Sequence, residues 1–475
     1  MNSTTQQSAL IAERIKNDPR VLEAKRLILE AVNEHRSAIT QISEADPNLK
    51  VDYDAMLAAF GKIRGGNLYF PYLASGVGNG PFVELADGSV KLDFITGIGV
   101  HGFGHSDPRL IRAGIDAALA DTVMQGNLQQ GTISYEFAKL LVSLARESGS
   151  NIEHCFLSTS GAMANENALK IAFQKHFPAK RVLAFDHCFA GRTLALAQVT
   201  DKAAYRIGLP ETIAVDYLPF FDQKNAQEST RRTIQVMREL LHRHPNDYAC
   251  LWTELIQGEG GYYVGSREYF RAVFSEAKKH NMAIIADEVQ TFCRTSRPYA
   301  FQHFGLDSLV DIVTVGKISQ ACATLFTPDY NPKPGLISQT FTASSWAIHA
   351  GLVILKELQA GGNFGDDGKN LQLHAHFVAG LENLANKYPG SVLGPFGVGG
   401  MVAFTAFDGS MKTAKDLVNI FYENGLMSFS AGGQPTRIRF LMPLGVTEPD
   451  HIDLAIEIMD KSFARWLEVS GQTKK

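Results

Sequence analysis

The segment 281–291, NMAIIADEVQT, carries an apolar run that ends in two acidic residues. The run Met282–Ala286 predicts a buried strand, and Asp287 and Glu288 follow at its carboxyl end. In open α/β sheets, ligands bind outside that end of the strands. A carboxylate there could bind a metal, act as a base or pair with a protonated heterocycle. Glu288 could instead face the opposite side, because side chains alternate along a strand.

A second apolar strand, Ile312–Val315 in the segment DIVTVGKISQ (311–320), ends at Gly316 and Lys317. Lysine is seldom buried without a task. Desolvation or nearby cations would lower its pKa and suit the amine to Schiff-base chemistry with an aldehyde. The alternative is a strand-end lysine that reaches solvent.

A third segment, STSGAMANENALKIAF (158–173), follows the predicted strand His154–Ser158 and opens a predicted helix. The free backbone N–H groups of a helix N-terminus bind anions, and glycine lets a phosphate approach the backbone closely. The segment therefore indicates an anion cradle at Gly161 and Ala162. The alternative is an ordinary helix cap at Ser160.

Apolar strands and helical segments alternate from about residue 106 to residue 350, which predicts a mostly parallel sheet with helices on both faces. The predicted strands are His154–Ser158, Arg181–Phe185, Thr212–Leu218, Tyr248–Thr253, Met282–Ala286 and Ile312–Val315. The predicted helices include Pro108–Ala120, Ala162–Phe173, Ser229–His242 and Tyr269–His280. A mixed α+β region follows and ends in a predicted helix, Asp450–Trp466.

The segment GIGVHG (97–102) matches part of the dinucleotide-binding fingerprint. That fingerprint needs a strand that runs directly into a helix, with an acidic residue about 20 positions further on. Here a hairpin signal, Asp87-Gly88, leads into the segment, and the next helix begins only near Asp107-Pro108. We therefore predict no nicotinamide site.

Composition excludes several classes of protein. The 475 residues include 45 Lys+Arg and 49 Asp+Glu, for a net charge of −4, which argues against binding to nucleic acid or to an anionic membrane. The 5 cysteines show no CxxC spacing, so neither a disulfide framework nor a metal site is predicted. We find no signal peptide and no apolar run long enough to span a membrane, and expect a cytoplasmic enzyme.

A phosphate cradle, a strand-end aspartate and a strand-end lysine on one α/β sheet are the groups that pyridoxal 5'-phosphate requires. At these residues the chain resembles the class III (ω-) aminotransferases, which are fold-type I pyridoxal phosphate enzymes. The resemblance covers nearly all of the chain after residue 65, and its motifs occur in the family's order. They are STSGAMANE, FAGRT (189–193), ELIQGEGG (254–261), ADEVQT (286–291), VGKISQ (315–320), TFTASS (340–345) and RIRFLMPLGV (437–446).

The resemblance implies a role for each matching residue around the cofactor ring. Lys317 would form the Schiff base with the cofactor and move protons at the reacting carbon. Asp287 would pair with the pyridinium nitrogen, and Gln290 would reach the ring hydroxyl. Val289 would cover one face of the ring and Phe189 the other.

The resemblance also implies how the phosphate is held and how the chain is organised. The backbone amides of Gly161 and Ala162 would bind the phosphate, and Thr340 would reach the phosphate in a partner subunit, which implies a homodimer with shared sites. We assign residues 1–65 to a helical N-terminal arm that serves packing or oligomerisation, and 66–115 to the first part of a small domain. Residues 116–350 form the large cofactor-binding domain, and 351–475 the C-terminal small domain.

Substrate recognition would depend on a pair that the family uses as a switch, Glu259 and Arg439. Glu259 would neutralise Arg439 while an ω-amine is bound, and would release it to the α-carboxylate of glutamate or 2-oxoglutarate. Arg192 would bind the distal carboxylate. Ile98 lies where the family lines its substrate tunnel, although it could equally be a core residue.

The predicted function is therefore an ω-aminotransferase of the 4-aminobutyrate or lysine type, using glutamate and 2-oxoglutarate as its second substrate pair in a ping-pong reaction. The alternatives are an aminomutase or racemase on the same fold, or a non-catalytic relative that binds the cofactor. The chain departs from the family motifs without touching the lysine, the aspartate or the arginines. The departures are Ala162, Met163, Ala190, Leu255, Phe292 and Cys293. Phe292 and Cys293 stand where the family has glycines after DEVQT, and they predict a different path for that loop.

Overall fold

The computed structural model describes residues 10–470, so residues 1–9 of the predicted arm and the last five positions lie outside the described range. The arm consists of the helices Ile11–Lys16, Pro19–Arg36 and Pro47–Arg64. Its second and third helices begin at Asp-Pro pairs, in which the carboxylates of Asp18 and Asp46 accept backbone N–H groups of the first turn. Pro19, which interrupts the helical pattern of the sequence, is therefore the start of a helix.

The central sheet contains seven strands. Their spatial order is His154–Ser158, Cys322–Phe326, Ile312–Val315, Ala283–Glu288, Tyr248–Thr253, Arg181–Phe185 and Ala214–Leu218. All six strands predicted from the sequence are present. The strand predicted to begin at residue 212 begins at 214, and the strand predicted to end at residue 286 continues to 288. The four pairings from Ile312–Val315 across to Ala214–Leu218 are parallel, as predicted.

The strand Cys322–Phe326 was not predicted, and it runs antiparallel to both of its neighbours. Only a short 3-10 turn, Lys317–Ser319, separates it from the strand Ile312–Val315. A parallel return needs a crossover of about a dozen residues or more, so this short connection permits only an antiparallel pairing.

Helices cover both faces of the sheet. Alternate residues of one strand enter different cores: Ile284 and Ala286 belong to the larger core, whereas Ala283 and Ile285 pack with the helix Gly161–Lys175. The helices after the arm are Thr96–Gly99, Pro108–Ala118, Thr132–Arg146, Gly161–Lys175, Leu196–Val199, Ala226–Arg243, Arg267–Lys279, Ala300–His303, Ser345–Ala360, Lys369–Lys387, Met411–Glu423 and Pro449–Ser470. Over residues 10–470, none of these helices is both long and apolar enough to cross a bilayer.

Smaller sheets join the beginning and the end of the chain. The predicted hairpin at Asp87-Gly88 is present, and its strand Val90–Asp93 pairs in parallel with Leu426–Met427. The other small-sheet strands are Ala74–Asn79, Phe82–Leu85, Val392–Phe396, Met401–Ala406, Phe429–Ala431 and Arg437–Leu441, with short pairs formed by Met124–Gln125 and Ala343–Ser344 and by Ile256–Gln257 and Tyr263–Val264. These pairings agree with a small domain built from both ends, while the domain boundaries stay a prediction.

The glycine-rich segment GIGVHG does not form a dinucleotide site. Gly97, Ile98 and Gly99 all have positive φ values in a distorted turn, and the next helix begins at Pro108, capped by the side chain of Asp107. The segment instead holds Ile98 at the edge of a cavity.

Candidate active site

Lys317 and Asp287 lie at the carboxyl ends of adjacent parallel strands. In the register of these strands Asp287 is opposite Thr314 and Glu288 is opposite Val315, and Lys317 follows two residues beyond. Lys317 has a φ of +55°, in the left-handed region, at the start of the 3-10 turn. Burial lowers the pKa of its amine from the ordinary value of 10.5. The amine is therefore easier to deprotonate than an exposed lysine.

Asp287 is a buried carboxylate held by two good donors. The backbone N–H of Val289 donates to Oδ1 at 3.0 Å, and Nδ2 of Asn165 donates to Oδ2 at 2.7 Å. Burial raises the pKa of Asp287 to about 6, and these hydrogen bonds only partly oppose that rise. A cation placed against the carboxylate would restore its ordinary acidity.

The predicted anion cradle is the start of the helix Gly161–Lys175. The Ser160 hydroxyl accepts the backbone N–H of Met163 at 3.2 Å, so the cap read from the sequence is real. The amides of Gly161 and Ala162 belong to the first turn, where no helical acceptor exists. A Cβ added to Gly161 would lie 2.7 Å from a methyl group of Val289, so glycine lets Val289 pack directly against the cradle. The cap and the cradle therefore coexist.

Glu254, which the sequence analysis quoted in a motif without assigning it a role, connects two loops of the site. One carboxylate oxygen accepts the backbone N–H of Phe189 at 2.8 Å, and the other accepts that of Gly258 at 3.0 Å. Burial raises its pKa to about 8, with the charge of Asp287 adding to the rise. Because Glu254 directly follows the strand Tyr248–Thr253, the strand-end rule that selected Asp287 could have found it as well.

Asn165 is the second residue that sequence reasoning missed. Its Nδ2 donates both to Asp287 and to the carbonyl of Ala190, each at 2.7 Å, so it joins the aspartate to the loop that carries Phe189. Its buried Oδ1 has no partner among the described residues. Its place one turn into the helix after the cradle is a signal that could have pointed to this role.

Glu259 and Arg439 form an ion pair, with Nη2 and Oε1 2.8 Å apart. Arg439 is fully buried, and its Nη1 also donates to the carbonyl of Gly258 and to Oε1 of Gln290, each at 3.3 Å. Burial alone would lower the pKa of Arg439, but Glu259 raises it above its ordinary value. Gln290, which follows Asp287 by three residues, joins the pair to the site, and the charges of Glu259 and Arg439 act in opposite directions on the pKa of Lys317.

Three predicted residues stand apart from this cluster. Arg192 is exposed, and its guanidinium lies 4.4 Å from the ring of Tyr205. Thr340 lies in an exposed loop with its carbonyl packed against Gly126, and among residues 10–470 no hydrogen bond joins it to Gly161 or Ala162. Ile98 borders a separate cavity described below. Phe189 is half-buried and borders the cluster through its bond to Glu254.

Glu288 faces away from the site, as the alternation of side chains allowed. Its two oxygens accept the backbone N–H groups of Ala300 and Phe301 at 2.6 and 2.8 Å. The loop after DEVQT packs inward: Phe292 is fully buried with its ring centroid 4.7 Å from that of Tyr299. Nη1 of Arg294 donates to the carbonyl of Gln290 at 3.0 Å, which fixes the path of the loop.

These features fit pyridoxal phosphate. Burial raises the pKa of the Asp287 carboxyl, so a cation next to it would stabilise its charged form, and the protonated ring nitrogen of the cofactor is such a cation. Lys317 supplies an amine two residues beyond the end of the adjacent strand, where burial lowers its pKa. Val289 is wedged between Gly161 and Gly316, where added Cβ atoms would lie 2.7 and 3.2 Å from its side chain, so a flat ring finds an apolar floor. Fold and site together define a pyridoxal phosphate-dependent enzyme.

Comparison with known proteins gives the family. The family model for class-III aminotransferases matches residues 70–463. The acetylornithine aminotransferase of Methanocaldococcus jannaschii is 29% identical over 402 residues, covering 81% of this chain and 92% of that protein. A probable 4-aminobutyrate aminotransferase of Bacillus subtilis is 28% identical over 406 residues, covering 78% and 88%. The fold matches that of the lysine aminotransferase from M. tuberculosis with a TM-score of 0.78 at 23% identity, covering 86% and 99%.

This chain belongs to the class III aminotransferase family. It is a pyridoxal phosphate-dependent transaminase that acts on a small-molecule amino donor and an oxo-acid acceptor.

Proposed function

We propose that the enzyme is an ω-aminotransferase that moves an amino group from a primary ω-amine to 2-oxoglutarate. Compounds of the 4-aminobutyrate and lysine type are the donors to test first. The observation that carries the proposal is the ion pair between Glu259 and the fully buried Arg439, which also donates to Gln290 at 3.3 Å. A transaminase of this kind must accept both an amine without an α-carboxylate and an amino acid that has one.

The ion pair meets that requirement by opening and closing. While an ω-amine is bound, Glu259 keeps Arg439 neutralised and no free cation faces the donor. When glutamate or 2-oxoglutarate binds, the α-carboxylate takes the place of Glu259 on the guanidinium, which presents two parallel N–H groups. The Glu259 side chain is 31% exposed and has room to turn towards solvent. Arg192 would bind the distal carboxylate from the rim.

The other residues of the cluster would hold the cofactor and move protons. Pyridoxal phosphate supplies an aldehyde and an electron sink when it is bound. Lys317 would take a proton from the substrate carbon and return it, and its lowered pKa favours the free amine that this requires. Asp287 would keep a proton on the ring nitrogen, and Gln290 would reach the ring hydroxyl. Phe189 and Val289 would exclude water from the two ring faces.

The proposed enzyme is a homodimer in which Thr340 completes the phosphate cradle of the partner subunit. Thr340 does not contact Gly161 or Ala162 of its own chain among the described residues, which leaves it available to a second copy. Large apolar side chains are exposed in the loop of Thr340 and in nearby segments, two of which are paired with each other, as expected of a subunit interface. They are Val123, Leu128, Tyr135, Phe341 and Trp346.

Subunit complementation tests the shared site. Thr340→Ala and Lys317→Ala subunits are co-expressed with different tags, and the hybrid dimer is purified. If Thr340 acts across the interface, one site of each hybrid keeps both wild-type residues, and about half of the wild-type activity returns. If Thr340 acts within its own chain, every hybrid site carries a defect, and the activity is no more than half that of the Thr340→Ala dimer.

A half-reaction tests the function itself. The holoenzyme is mixed without acceptor with glutamate, 4-aminobutyrate, lysine or ornithine, and the cofactor spectrum is followed. Conversion of the cofactor to its aminated form by glutamate and by at least one ω-amine supports the proposal. If glutamate leaves the spectrum unchanged, the proposed switch is wrong. The transaminase then uses an oxo acid other than 2-oxoglutarate as its acceptor.

A further inference from the structure

An apolar cavity of about 260 Å³ adjoins the candidate active site. Its walls include Tyr69, Phe70, Ile98, Met427 and Phe429. The aromatic rings pack on one another, with the Tyr69 and Phe429 centroids 4.5 Å apart and the Phe70 and Phe429 centroids 6.2 Å apart. A cavity of about 150 Å³ lined by such side chains is enough to bind benzene. This cavity therefore has room for an aromatic ring or a branched alkyl group.

One wall comes from a part of the chain that lies outside the family match. Leu68 and Tyr69 precede residue 70, where the match begins, and three residues separate them from the third helix of the N-terminal arm. The arm fixes this wall in place. The Tyr53 hydroxyl donates to the carbonyl of Pro71 and accepts the backbone N–H of Leu73, and the Tyr422 hydroxyl donates to the same Pro71 carbonyl at 2.8 Å.

Phe429 connects the wall of the cavity to Arg439. Phe429 is directly opposite Arg439 in the antiparallel pair of strands, so their side chains share one face of the sheet. The guanidinium carbon lies 5.7 Å from the ring centroid of Phe429, while Arg439 itself does not line the cavity. A substrate held near Arg439 therefore has the cavity within reach.

The charges around the cavity disfavour an anionic group. Asp93 lines it, and its carboxylate is fixed by the backbone N–H groups of Ile95 and Thr96 at 3.0 and 2.7 Å and by His105 at 3.0 Å. Its other polar side chain, besides the tyrosine hydroxyls, is that of His101, and burial lowers the pKa of this imidazole, which favours its neutral form. No lysine or arginine lines the cavity within the described part of the chain. A carboxylate would lose its hydration there without gaining a cation.

We propose that this cavity is a subsite for an uncharged, apolar end of the amino donor. This proposal rests on the proposed function, and it restricts the amines that the enzyme is expected to use as donors. Amines that end in a phenyl or branched alkyl group are preferred to amines of equal length that end in a carboxylate. Because Leu68 and Tyr69 lie just after the arm and before the family match, this preference depends on a wall that the match does not cover.

The test compares two donors that differ only at the far end, 3-phenylpropan-1-amine and 4-aminobutyrate. Each is mixed with the holoenzyme without acceptor, and kcat/KM is measured beside that of glutamate. We expect the phenyl donor to exceed 4-aminobutyrate by about tenfold or more, because burying a ring is worth at least one factor of ten. We also expect 3-phenylpropan-1-ol, which has no amine, to compete with the phenyl donor.

Variants of the wall locate the effect. Tyr69→Ala should lower the ratio of kcat/KM for the phenyl donor to that for glutamate by about tenfold, and Tyr69→Lys should shift the preference towards 4-aminobutyrate. Phe60→Ala is the matched control, since Phe60 is an aromatic residue of the same arm, 41% exposed against 48% for Tyr69, and does not line the cavity.

Two failures are distinguishable. If glutamate converts the cofactor but the phenyl donor does not exceed 4-aminobutyrate, or if Tyr69→Ala leaves the ratio unchanged, the subsite is refuted and the proposed function stands. If glutamate itself does not convert the cofactor, the proposed function fails first.

Discussion

Replacing Glu259 by Gln should leave Arg439 as a buried cation without a counter-charge. The pair is 2.8 Å apart, and the Arg439 side chain is fully buried, while that of Glu259 is 31% exposed. Removing one member of a buried pair costs about 3–5 kcal/mol, and the partial exposure of Glu259 places this pair near the lower end. The free energy of unfolding of Glu259→Gln should therefore fall by about 3 kcal/mol.

The same change should tighten the binding of dicarboxylates. In the wild type, an incoming carboxylate must displace Glu259 from Arg439, whereas in the variant it finds the cation unpaired. If most of the 3 kcal/mol is recovered when the ligand carboxylate binds, the dissociation constant falls by about 100-fold. Glutarate is the ligand of choice, because it has two carboxylates and no amine to transfer.

Calorimetric titration of the holoenzyme with glutarate and urea unfolding measure the two effects. Glu276→Gln is the control. Glu276 lies away from the site and forms ion pairs with Arg238 at 2.6 Å and with Lys279 at 2.9 Å, and both of these partners are well exposed. It should leave glutarate binding unchanged and cost less stability. A folded Glu259→Gln protein that binds glutarate no more tightly than the wild type would refute the switch.

Three further predictions concern the cofactor residues. Asn165→Ala removes the side chain that donates to Asp287 at 2.7 Å, and it should weaken cofactor binding about tenfold, as expected for one hydrogen bond to a charged group. Reconstitution of the apoenzyme with the cofactor measures this affinity. Asn165→Asp should bind the cofactor more weakly still, and affinities equal to that of the wild type would contradict this role. Lys317→Met should abolish the glutamate half-reaction. It should also stabilise the apoenzyme against urea at neutral pH, because burial lowers the pKa of Lys317 and so disfavours its charged form in the folded protein. A less stable apoenzyme would contradict this reasoning. Burial raises the pKa values of Asp287 and Glu254 to about 6 and 8, so their contribution to stability is full below the unfolded values near 4 and is lost as pH rises from there to about 6 for Asp287 and to about 8 for Glu254. The melting temperature of the apoenzyme should fall across that window and that of the holoenzyme should fall less; parallel profiles would contradict the placement of a cation at Asp287.

Most of the central sheet could be predicted because its strands are continuous apolar runs with turn residues on each side. The strands Arg181–Phe185, Tyr248–Thr253 and Ile312–Val315 match the prediction to the residue. The strand Cys322–Phe326 was missed because parallel strands normally alternate with helices, and this one returns after a single short turn. Its apolar sequence was a usable signal, but its antiparallel direction follows only from the length of the connection.

Only those residues of the candidate site that lie at or just after the carboxyl end of a strand could be predicted from the sequence. Asp287 and Lys317 were found because an acid and an amine at the carboxyl ends of buried strands need an explanation. The pairing of Glu259 with Arg439 came from the family resemblance, because the two residues are 180 positions apart and no local pattern links them. The cavity beside Ile98 was not predictable, since its walls come from the arm, the distorted GIGVHG turn and the strand Phe429–Ala431.

Three buried acids at one edge of the sheet show why residue type alone does not assign function. Both carboxylate oxygens of Glu288 accept backbone N–H groups, those of Ala300 and Phe301. Both oxygens of Glu254 likewise accept the backbone N–H groups of Phe189 and Gly258. Each of these acids therefore fixes loops, and neither is aimed at a ligand. Asp287 lies between them in the chain, but one of its donors is the side chain of Asn165, which also holds the loop of Phe189. Glu254 and Asn165 thus hold that loop from two sides, and the geometry offered to the cofactor depends on residues that would never touch it.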